Sequence, residues 1–467
     1  MRLSHTPSRT SAVFDDPNLV SHGGLVPVMA LAERAGLHDL LAEHVRPGGE
    51  CGVNAPLKAG CLVAGMAAGA DSIEDMGLLR HGAMDVLFGG VRAPSTLGSH
   101  LRSYTWGNVL QLEKAGRELP GRLSRQAPLL PGADVLAFID IDSTQKRVYG
   151  HQKEGARFGH TKIQGKSVLV RGLNALIGAV STPLAAPVAA ATRLRAGNAA
   201  SARGAASLAA QAIGTARACG CTGTIVVPMD SACYAATVIA AVRRSGARFS
   251  VTAPVTASVR AAIDAIAEDA WTAIEYPQAV RDDLLGCWVS DAEVAETSYA
   301  AFTSKNKELQ VTARLIVRRV RDKAKAAPGQ GELFPAWRYH AVFTDSPFEL
   351  IQAEEQHRGH AVIEQLLADL SDGPLAHLPS GKFTANAAWL AAAAIACNLL
   401  RAAGTLAGRR HARARAATIR RDLVAVAART ARHGRDRLTL HLPASWHREH
   451  EWASLFEAAC GPPAAAA

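Results

Sequence analysis

The alternation of short apolar stretches with Ala-rich stretches between residues 131 and 270 constrains the fold more than any other feature. It begins with three stretches typical of β-strands, after which helical stretches alternate with two further strands. In chain order the strands are VLAFIDID, KSVLVRGLNALIGAV, VAAATRLRAG, TIVVPMD and RFSVTAP. An antiparallel beginning followed by alternating units predicts an α/β protein whose mixed sheet is covered by helices.

The chain of 467 residues is too long for one ordinary hydrophobic core, so several regions are expected. Residues 1–130 show helical periodicity, and residues 271–340 carry the alternation and β-branched residues of strands. We therefore predict one α/β domain, formed by residues 131–270 and 341–380, that is interrupted by a β-rich insertion at 271–340. Residues 381–467 are predicted to form a helical and basic C-terminal region.

The charge of the chain favours a polyanionic partner. Lys and Arg outnumber Asp and Glu by 51 to 41, which gives a net charge of +10. A basic protein of this kind favours nucleic acid, although a solvated basic surface has the same composition. Residues 401–437 alone hold eleven Arg and two Asp. Both DNA contact and a solvated helix face explain this cluster, and the sequence leaves the two open.

Cysteine usage and hydropathy indicate where such a chain works. The eight Cys show no Cys-x-x-Cys spacing, so we expect neither a zinc site nor a disulfide framework, and a reducing compartment fits best. The N-terminal MRLSHTPSRT lacks the apolar stretch of a secretory signal. The most apolar run, Trp389 to Cys397, is too short to span a bilayer and predicts a buried helix. We expect a cytoplasmic protein with no membrane partner.

Two of the predicted strands end in acidic residues. Asp140 and Asp142 end the first strand, and their spacing places both carboxylates on one face. Asp230 ends TIVVPMD directly before a helix. In α/β sheets, ligands gather at the carboxyl ends of strands, where uncompensated carboxylates are costly to bury. A metal ion is the simplest partner, although a turn acid or a helix cap explains each Asp taken alone.

A third acidic residue comes from a helix that follows the predicted insertion. Glu364 lies in HRGHAVIEQLL among apolar neighbours, while Glu354 and Glu355 compete with it and spacing does not choose among the three. Three acids could hold two Mg²⁺ ions, which prefer carboxylate oxygens, water and phosphate. Two such ions catalyse phosphodiester transfer. The sequence contains no phosphate-binding loop, His-Glu-x-x-His motif or Gly-x-Ser-x-Gly motif.

Several blocks of the chain, in order, resemble bacterial insertion-sequence transposases of the DDE class. The blocks are APSTLGSHLRSYTWG, IDIDSTQKRVYGHQKEGARFGHTK, PMDSACY, HRGHAVIE with HLPSGKFTANAAWL, and LTLHLPASW. The resemblance implies a ribonuclease-H-like domain interrupted by a β insertion and flanked by helical regions. It places the catalytic, metal-binding acids at Asp142, Asp230 and Glu364, with Thr144 completing the first Asp-x-Thr unit.

The activity that the resemblance implies is cut-and-paste transposition. The enzyme would cut at the terminal inverted repeats of its element and join the freed 3′-hydroxyl to target DNA, using two Mg²⁺ ions for which Mn²⁺ can substitute. The implied partners are double-stranded DNA and a second copy of the chain, as a homodimer on the DNA. The candidate DNA-binding residues are Lys162, His357, Arg358 and His360.

The chain departs from the wider class close to the third acid. Relatives carry a Lys seven residues after the Glu and a Tyr and an Arg before it, whereas this chain has Ser371, His357 and His360. Arg358 is the candidate to compensate. Ser371 motivates an alternative, a catalytically decayed transposase that only binds DNA, and a nuclease that cuts without joining is a third possibility. If the site is degraded, Ser371→Lys is expected to strengthen binding to the element ends.

Overall fold

A large mixed β-sheet forms the centre of the protein in the computed structural model. The structure describes residues 3–163, 166–284, 286–321, 337–359, 362–434 and 437–461, with the backbone alone for residues 162 and 163. In chain order the strands are β1 (Leu19–Val20), β2 (Leu136–Arg147), β3 (Arg157–Ile163), β4 (Lys166–Ser181), β5 (Val188–Ala196), β6 (Thr224–Met229), β7 (Arg248–Ala253), β8 (Thr272–Ala273), β9 (Val280–Asp282), β10 (Cys287–Val289), β11 (Ala292–Ala301), β12 (Val311–Arg321), β13 (Trp337–Thr344), β14 (Ala428–His433) and β15 (Arg437–His441).

Helices cover the sheet and build both terminal regions. In chain order they are α1 (Leu25–Arg34), α2 (Leu37–His44), α3 (Ala55–Ala68), α4 (Met84–Leu87), α5 (Pro94–Arg102), α6 (Trp106–Leu123), α7 (Ala205–Ala218), α8 (Ala236–Arg244), α9 (Ala257–Asp264), α10 (Leu350–Arg358), α11 (Ile363–Ser371), α12 (Phe383–Leu406), α13 (Arg409–Ala412), α14 (Ala416–Ile419) and α15 (Glu449–Cys460). A π-helical turn, Arg420–Val424, follows α14. The predicted α/β class is confirmed.

The order of the strands places two parallel junctions at the middle of the sheet. The order is β3–β4–β2–β6–β7–β13–β12–β11–β8, and β5 also pairs with β4. Strands β2, β6 and β7 run parallel to one another, while the remaining pairs of this sheet are antiparallel. All five apolar strands predicted between residues 131 and 270 are present as β2, β4, β5, β6 and β7. Strand β3 was not predicted, and it forms by pairing with the first half of β4.

The segment predicted as a β-rich insertion extends the central sheet. Strand β13 pairs antiparallel with β7, and β12, β11 and β8 follow outward. Only the short hairpin of β9 and β10 forms a separate small sheet in the described part of this segment. The strand character expected of residues 271–340 is therefore present, and hydrogen bonds join most of it to the α/β sheet.

The terminal regions are not wholly helical, which corrects the sequence prediction. Strands β14 and β15 form an antiparallel hairpin within the tail, and β1 pairs with β14 through Leu19 opposite Arg429. The Arg-rich composition hid β14 and β15, and the second partner of β14, strand β1, lies about four hundred residues away, beyond any local pattern. Residues from both ends of the chain thus share one small sheet.

Helix α12 is the most apolar helix of the protein and lies inside its core. It is long and apolar enough to cross a membrane, yet 89% of its most apolar window is buried in the fold. It packs against α6, α3 and β5, and the fully buried Trp389 donates a hydrogen bond to the Pro374 carbonyl. The buried helix predicted for this segment is thereby confirmed, and one core runs from the N-terminal helices to the sheet.

Candidate active site

The parallel pairing of β2 and β6 brings the two strand-end acids to the same edge of the sheet. Phe138 lies opposite Val226 in this parallel pair, so the residues that follow them on both strands reach the same edge of the sheet. Asp142 follows on β2, which continues as a strand beyond it. Asp230 comes directly after β6 and precedes a short 3₁₀ turn. This placement follows the rule that ligand sites form at the carboxyl ends of parallel strands.

A helix adds the third acid. Glu364 lies in the first turn of α11, and α11 packs against β2 and β4. Asp142, Asp230 and Glu364 together line one open cleft of about 300 Å³. Its other lining residues are Asp140, Ile141, Pro228, Met229, Thr252, His357 and Ile363. The structure therefore brings together the three acids that the resemblance had assigned.

The carboxylates in this cleft repel one another. Burial raises the pKa of the Asp142 carboxyl, and the negative charges of Asp230, Glu364 and Asp140 raise it further. The Ser143 backbone N–H, which donates a 2.6 Å hydrogen bond to Asp142 Oδ1, offsets part of this effect. Within the described residues, no Lys or Arg forms an ion pair with Asp142, Asp230 or Glu364. The cleft therefore favours a bound cation that relieves the repulsion.

The donor set of the cleft fits a hard divalent cation. Carboxylate oxygens are the protein ligands that Mg²⁺ prefers, and Mg²⁺ keeps several positions for water and substrate phosphate. Among the described residues, no three His, Cys, Asp or Glu side chains are arranged as a ready cluster around one ion. An ion held by one or two of these carboxylates would therefore take its remaining ligands from water or phosphate.

A buried thiol lies next to the second acid. The pKa of Cys233 is raised to about 12, first by burial and then by the charge of Asp230 and a hydrogen bond with it. Because this thiol stays protonated near neutral pH, it can donate to the Asp230 carboxylate without contributing a negative charge. Cys233 is thus a hydrogen-bonding neighbour that supports the position of Asp230.

The structure separates Glu364 from the two acids that competed with it. Glu354 is buried and forms ion pairs with Arg318 and, at 3.2 Å, with Arg358. Glu355 lines a neighbouring pocket with Tyr276 and Trp288 in its walls. Glu364 alone of the three lines the cleft of the strand-end acids. This difference in placement depends on the helix register, which the sequence did not fix.

The four residues expected to contact DNA lie in different surroundings. His357 lines the acid cleft, and its ring nitrogens contact Ser250 Oγ at 2.8 Å and Thr252 Oγ1 at 3.0 Å, both on β7. Arg358 lines the neighbouring pocket, where it pairs with Glu354. His360 and the Lys162 side chain lie outside the described part of the structure. Of the two candidates whose side chains the structure describes, His357 lines the acid cleft and Arg358 lines the neighbouring pocket.

Sequence reasoning missed a lysine beside the cleft. Lys146 Nζ donates a 2.6 Å hydrogen bond to Ser371 Oγ, so a cation approaches the position where relatives of the wider class carry a Lys. Burial lowers the pKa of Lys146 to about 8, and the charge of Asp372 offsets part of that effect. The sequence did indicate that Lys146 shares a strand face with Asp142, because side chains alternate between the two faces of a strand.

Several arginines of the basic tail have structural partners. Arg401, which is buried, and Arg415 both form ion pairs with the buried Asp369. Arg421 pairs with Asp422 at 2.7 Å. Arg409 and Arg410, in contrast, are exposed. The ion pairs give some arginines a structural role that neither explanation predicted, while the exposed arginines fit both DNA contact and a solvated helix face.

The family comparison covers almost the whole chain. The sequence matches the family described as transposase DDE domain group 1 over residues 5–459, a range that includes the three cleft acids and both terminal regions. No curated protein matches the sequence. A family of transposases acts on DNA, which agrees with the basic composition. The chain belongs to the transposase DDE domain family and is a DDE-class transposase.

Proposed function

We propose that this transposase cuts DNA at the terminal inverted repeats of an insertion sequence and joins the freed ends to target DNA. The observation that carries the proposal is the single cleft lined by Asp142, Asp230 and Glu364 at the carboxyl ends of parallel strands. We further propose a ribonuclease-H-like catalytic domain. The order β5–β4–β2–β6–β7, with three antiparallel strands followed by two parallel ones, is compatible with that fold.

The chain contributes position and charge to the reaction. Asp142 and Asp230 approach from the sheet and Glu364 from the helix, so the three acids line one open volume that a DNA phosphate can enter. Two Mg²⁺ ions bound by these carboxylates, for which Mn²⁺ can substitute, would supply activation of the attacking hydroxyl and stabilisation of the leaving oxygen. His357, held by Ser250 and Thr252, gives the cleft a fixed polar wall.

The partners follow from the same proposal. Double-stranded DNA supplies both the element ends and the target, and the exposed Arg409 and Arg410 are available to its phosphates. Two copies of the chain would hold the two ends of the element as a homodimer. We place the protein in the bacterial cytoplasm, at the nucleoid when bound. We also propose that the domain boundaries lie near residues 130, 270, 340 and 380, as the sequence predicts.

The first experiment compares cleavage by the parent chain and its Glu364→Gln variant. The substrate is labelled duplex DNA carrying the repeats that flank the coding region, incubated with Mg²⁺. We expect the parent to nick at the repeat ends, and Glu364→Gln to bind the DNA normally while cleaving at least a thousandfold more slowly. Glu355→Gln is the matched control, because this exposed acid lies nearby outside the cleft.

Four outcomes are informative. Nicking by the parent and by Glu355→Gln, but not by Glu364→Gln, supports the assignment of the third acid. Equal nicking by all three proteins removes Glu364 from the site. Binding without nicking by any of them favours the decayed, DNA-binding alternative. Release of joined product, in addition to nicks, separates a transposase from a nuclease that only cuts.

A further inference from the structure

Lys146 is a cation without a carboxylate of its own. Its Nζ is hydrogen-bonded to the Ser371 hydroxyl, and among the described residues it forms no ion pair. Burial lowers the pKa of Lys146 and the negative charge of Asp372 raises it, but the Asp372 carboxylate forms an ion pair with Arg415 at 3.0 Å. A lysine in this state is free to bind an anion that comes from outside the protein.

Holding a lysine here is unfavourable for the folded protein. Burial lowers the pKa of Lys146 to about 8, which means that the fold destabilises its charged form. A neutral polar side chain would link β2 to α11 without that penalty, because it could donate to the Ser371 hydroxyl oxygen in place of the ammonium group. Groups kept in such conditions are often found at functional sites, where a ligand restores the lost stabilisation.

The position of Lys146 indicates where such a ligand would lie relative to the acid cleft. Asp142 and Lys146 lie on one face of β2, roughly 13 Å apart at the usual rise of a strand. Glu364 and Ser371 lie seven residues apart on α11, about 10 Å along the helix. We use the term β2–α11 groove for the surface along the junction of β2 and α11, from the acid cleft at Asp142 and Glu364 to the contact between Lys146 and Ser371. Its acidic end is the catalytic cleft, and its basic end is Lys146.

We propose that Lys146 binds a backbone phosphate of the DNA strand whose scissile phosphate lies in the acid cleft. The contact falls a few nucleotides from the cut and fixes the register of the strand along the β2–α11 groove. Lys146 is thus a positioning residue for the reaction. The inference rests on the proposed function, because it takes the strand in the cleft to be DNA.

The test measures how the affinity for end DNA depends on salt. Each phosphate neutralised by a protein cation contributes about 0.9 to the slope of log affinity against log salt concentration. We therefore expect Lys146→Met to lower the slope by about 0.9 and to weaken binding about tenfold at low salt. Lys146→Arg, which keeps the charge, should retain most of the slope. The probe is labelled duplex DNA carrying the flanking repeats.

Lys307→Met is the matched control for loss of one positive charge. Lys307 is exposed on a turn next to α8, beside the pocket that contains Glu308 and Arg248. That pocket borders the first residue of β7, at the end of the sheet opposite the acid cleft. Lys307→Met should therefore leave the slope and the position of cleavage unchanged.

Relocating the charge separates a phosphate contact from a structural link. Ser371→Lys alone places two ammonium groups within hydrogen-bond distance, so we expect weaker binding rather than the gain that the sequence suggested. Lys146→Ser combined with Ser371→Lys moves the cation by a few ångströms within the same groove and should restore the salt slope. A purely structural link between β2 and α11 has no reason to show this recovery in a salt-dependent measurement.

The outcomes distinguish this inference from the proposed function. If the parent cuts end DNA and Lys146→Met shows the parent's affinity and slope, the inference is overturned while the proposed function stands. Equal losses in Lys146→Met and Lys307→Met also overturn it, because they indicate a non-specific charge effect. A parent that neither binds nor cuts the DNA overturns both. A reduced slope in Lys146→Met alone, with recovery in the relocated variant, supports the phosphate contact.

Discussion

The charge of Asp142 has an electrostatic cost in the folded protein, which a bound cation would reduce. Burial and three neighbouring acids raise the pKa of Asp142, so its charged form destabilises the metal-free protein at neutral pH. The same repulsion favours a cation in the cleft, and the proposed function takes that cation to be Mg²⁺. If these acids catalyse the reaction as proposed, the arrangement that serves catalysis lowers the stability of the metal-free protein, a common property of enzyme sites.

Addition of Mg²⁺ is expected to stabilise the folded protein through these carboxylates. At about a hundred times its Kd, one bound ion raises the free energy of unfolding by about 2.7 kcal/mol. Asp142→Asn should be more stable than the parent without metal, because it removes one repelling charge, and should gain little from Mg²⁺. Thermal unfolding with and without Mg²⁺ measures both effects. Equal Mg²⁺ stabilisation of the parent and the variant would place the ion elsewhere.

Replacement of Lys146 by Met is expected to stabilise the protein in a pH-dependent way. The folded-state pKa of about 8 lies below the ordinary value of 10.5, so the folded state is penalised whenever this lysine is charged. The penalty is complete below pH 8 and disappears as the pH rises above 10.5. Lys146→Met should therefore raise the free energy of unfolding by about 1 to 3 kcal/mol at pH 7.

Urea denaturation at several pH values measures this gain. It should shrink between pH 8 and pH 10.5, while Lys307→Met changes stability little at any pH. A Lys146→Met variant that is less stable than the parent at pH 7 would show that the link to Ser371 outweighs the cost of burying the charge.

At the level of elements, the sequence predicted what local patterns encode. Strands β2 and β6 were found because each is an apolar run that ends in an acid, and the parallel junction between them explains why Asp142 and Asp230 meet. Strands β1 and β14 were missed because each is stabilised by a partner at the other end of the chain. Long-range pairing is a property of the whole fold, which no window of residues contains.

In the candidate site, too, local sequence patterns predicted some residues, and the others depend on long-range contacts. The two strand-end acids follow from pattern and topology, whereas Glu364 depended on the resemblance, since Glu354 and Glu355 offered equal spacing. Only the packing of α11 against β2 separates Glu364 from them. Lys146 was overlooked because its significance comes from the contact with Ser371, 225 residues later in the chain.

Helix α12 is joined to the sheet by one buried amide, whose loss should be costly. Asn398 accepts a 2.9 Å hydrogen bond from the Ala189 N–H and donates one of 2.9 Å to the Ala189 carbonyl on β5. Asn398→Leu leaves both buried backbone groups without these partners, so we expect a loss of about 2 to 4 kcal/mol in the free energy of unfolding.

Chemical denaturation of Asn398→Leu measures that loss. Leu399→Met, a volume-conserving change at the next residue, is the control and should cost less than about 1.5 kcal/mol. Equal stability of the parent and Asn398→Leu would show that water or a local shift satisfies Ala189.

At the scale of the whole molecule, the two ends of the chain complete one structure. Strand β1 pairs with β14, α1 packs against α15, and Arg34 donates hydrogen bonds to the Ala458 and Ala459 carbonyls. Helix α12, from the C-terminal region, forms much of the core under α3 and α6. The N-terminal helices therefore have no complete core of their own.

Removal of residues 428–467 is expected to destabilise the N-terminal region along with the tail. The truncated chain loses the partners of β1 and α1, so brief digestion with trypsin should cleave within residues 19–45 much faster than in the full chain. The central sheet, whose strands all lie before residue 345, should resist longer. Protection of residues 19–45 in the truncated protein would show that the N-terminal helices fold by themselves.

The joining of the two ends has a consequence for how such a gene loses its function. Strand β1 can pair only after β14 has been synthesised. A frameshift or stop codon upstream of β14 therefore leaves the beginning of the product without its partner. We expect cells to degrade such a product faster than the full chain, so that it competes poorly with intact copies for the ends of the element.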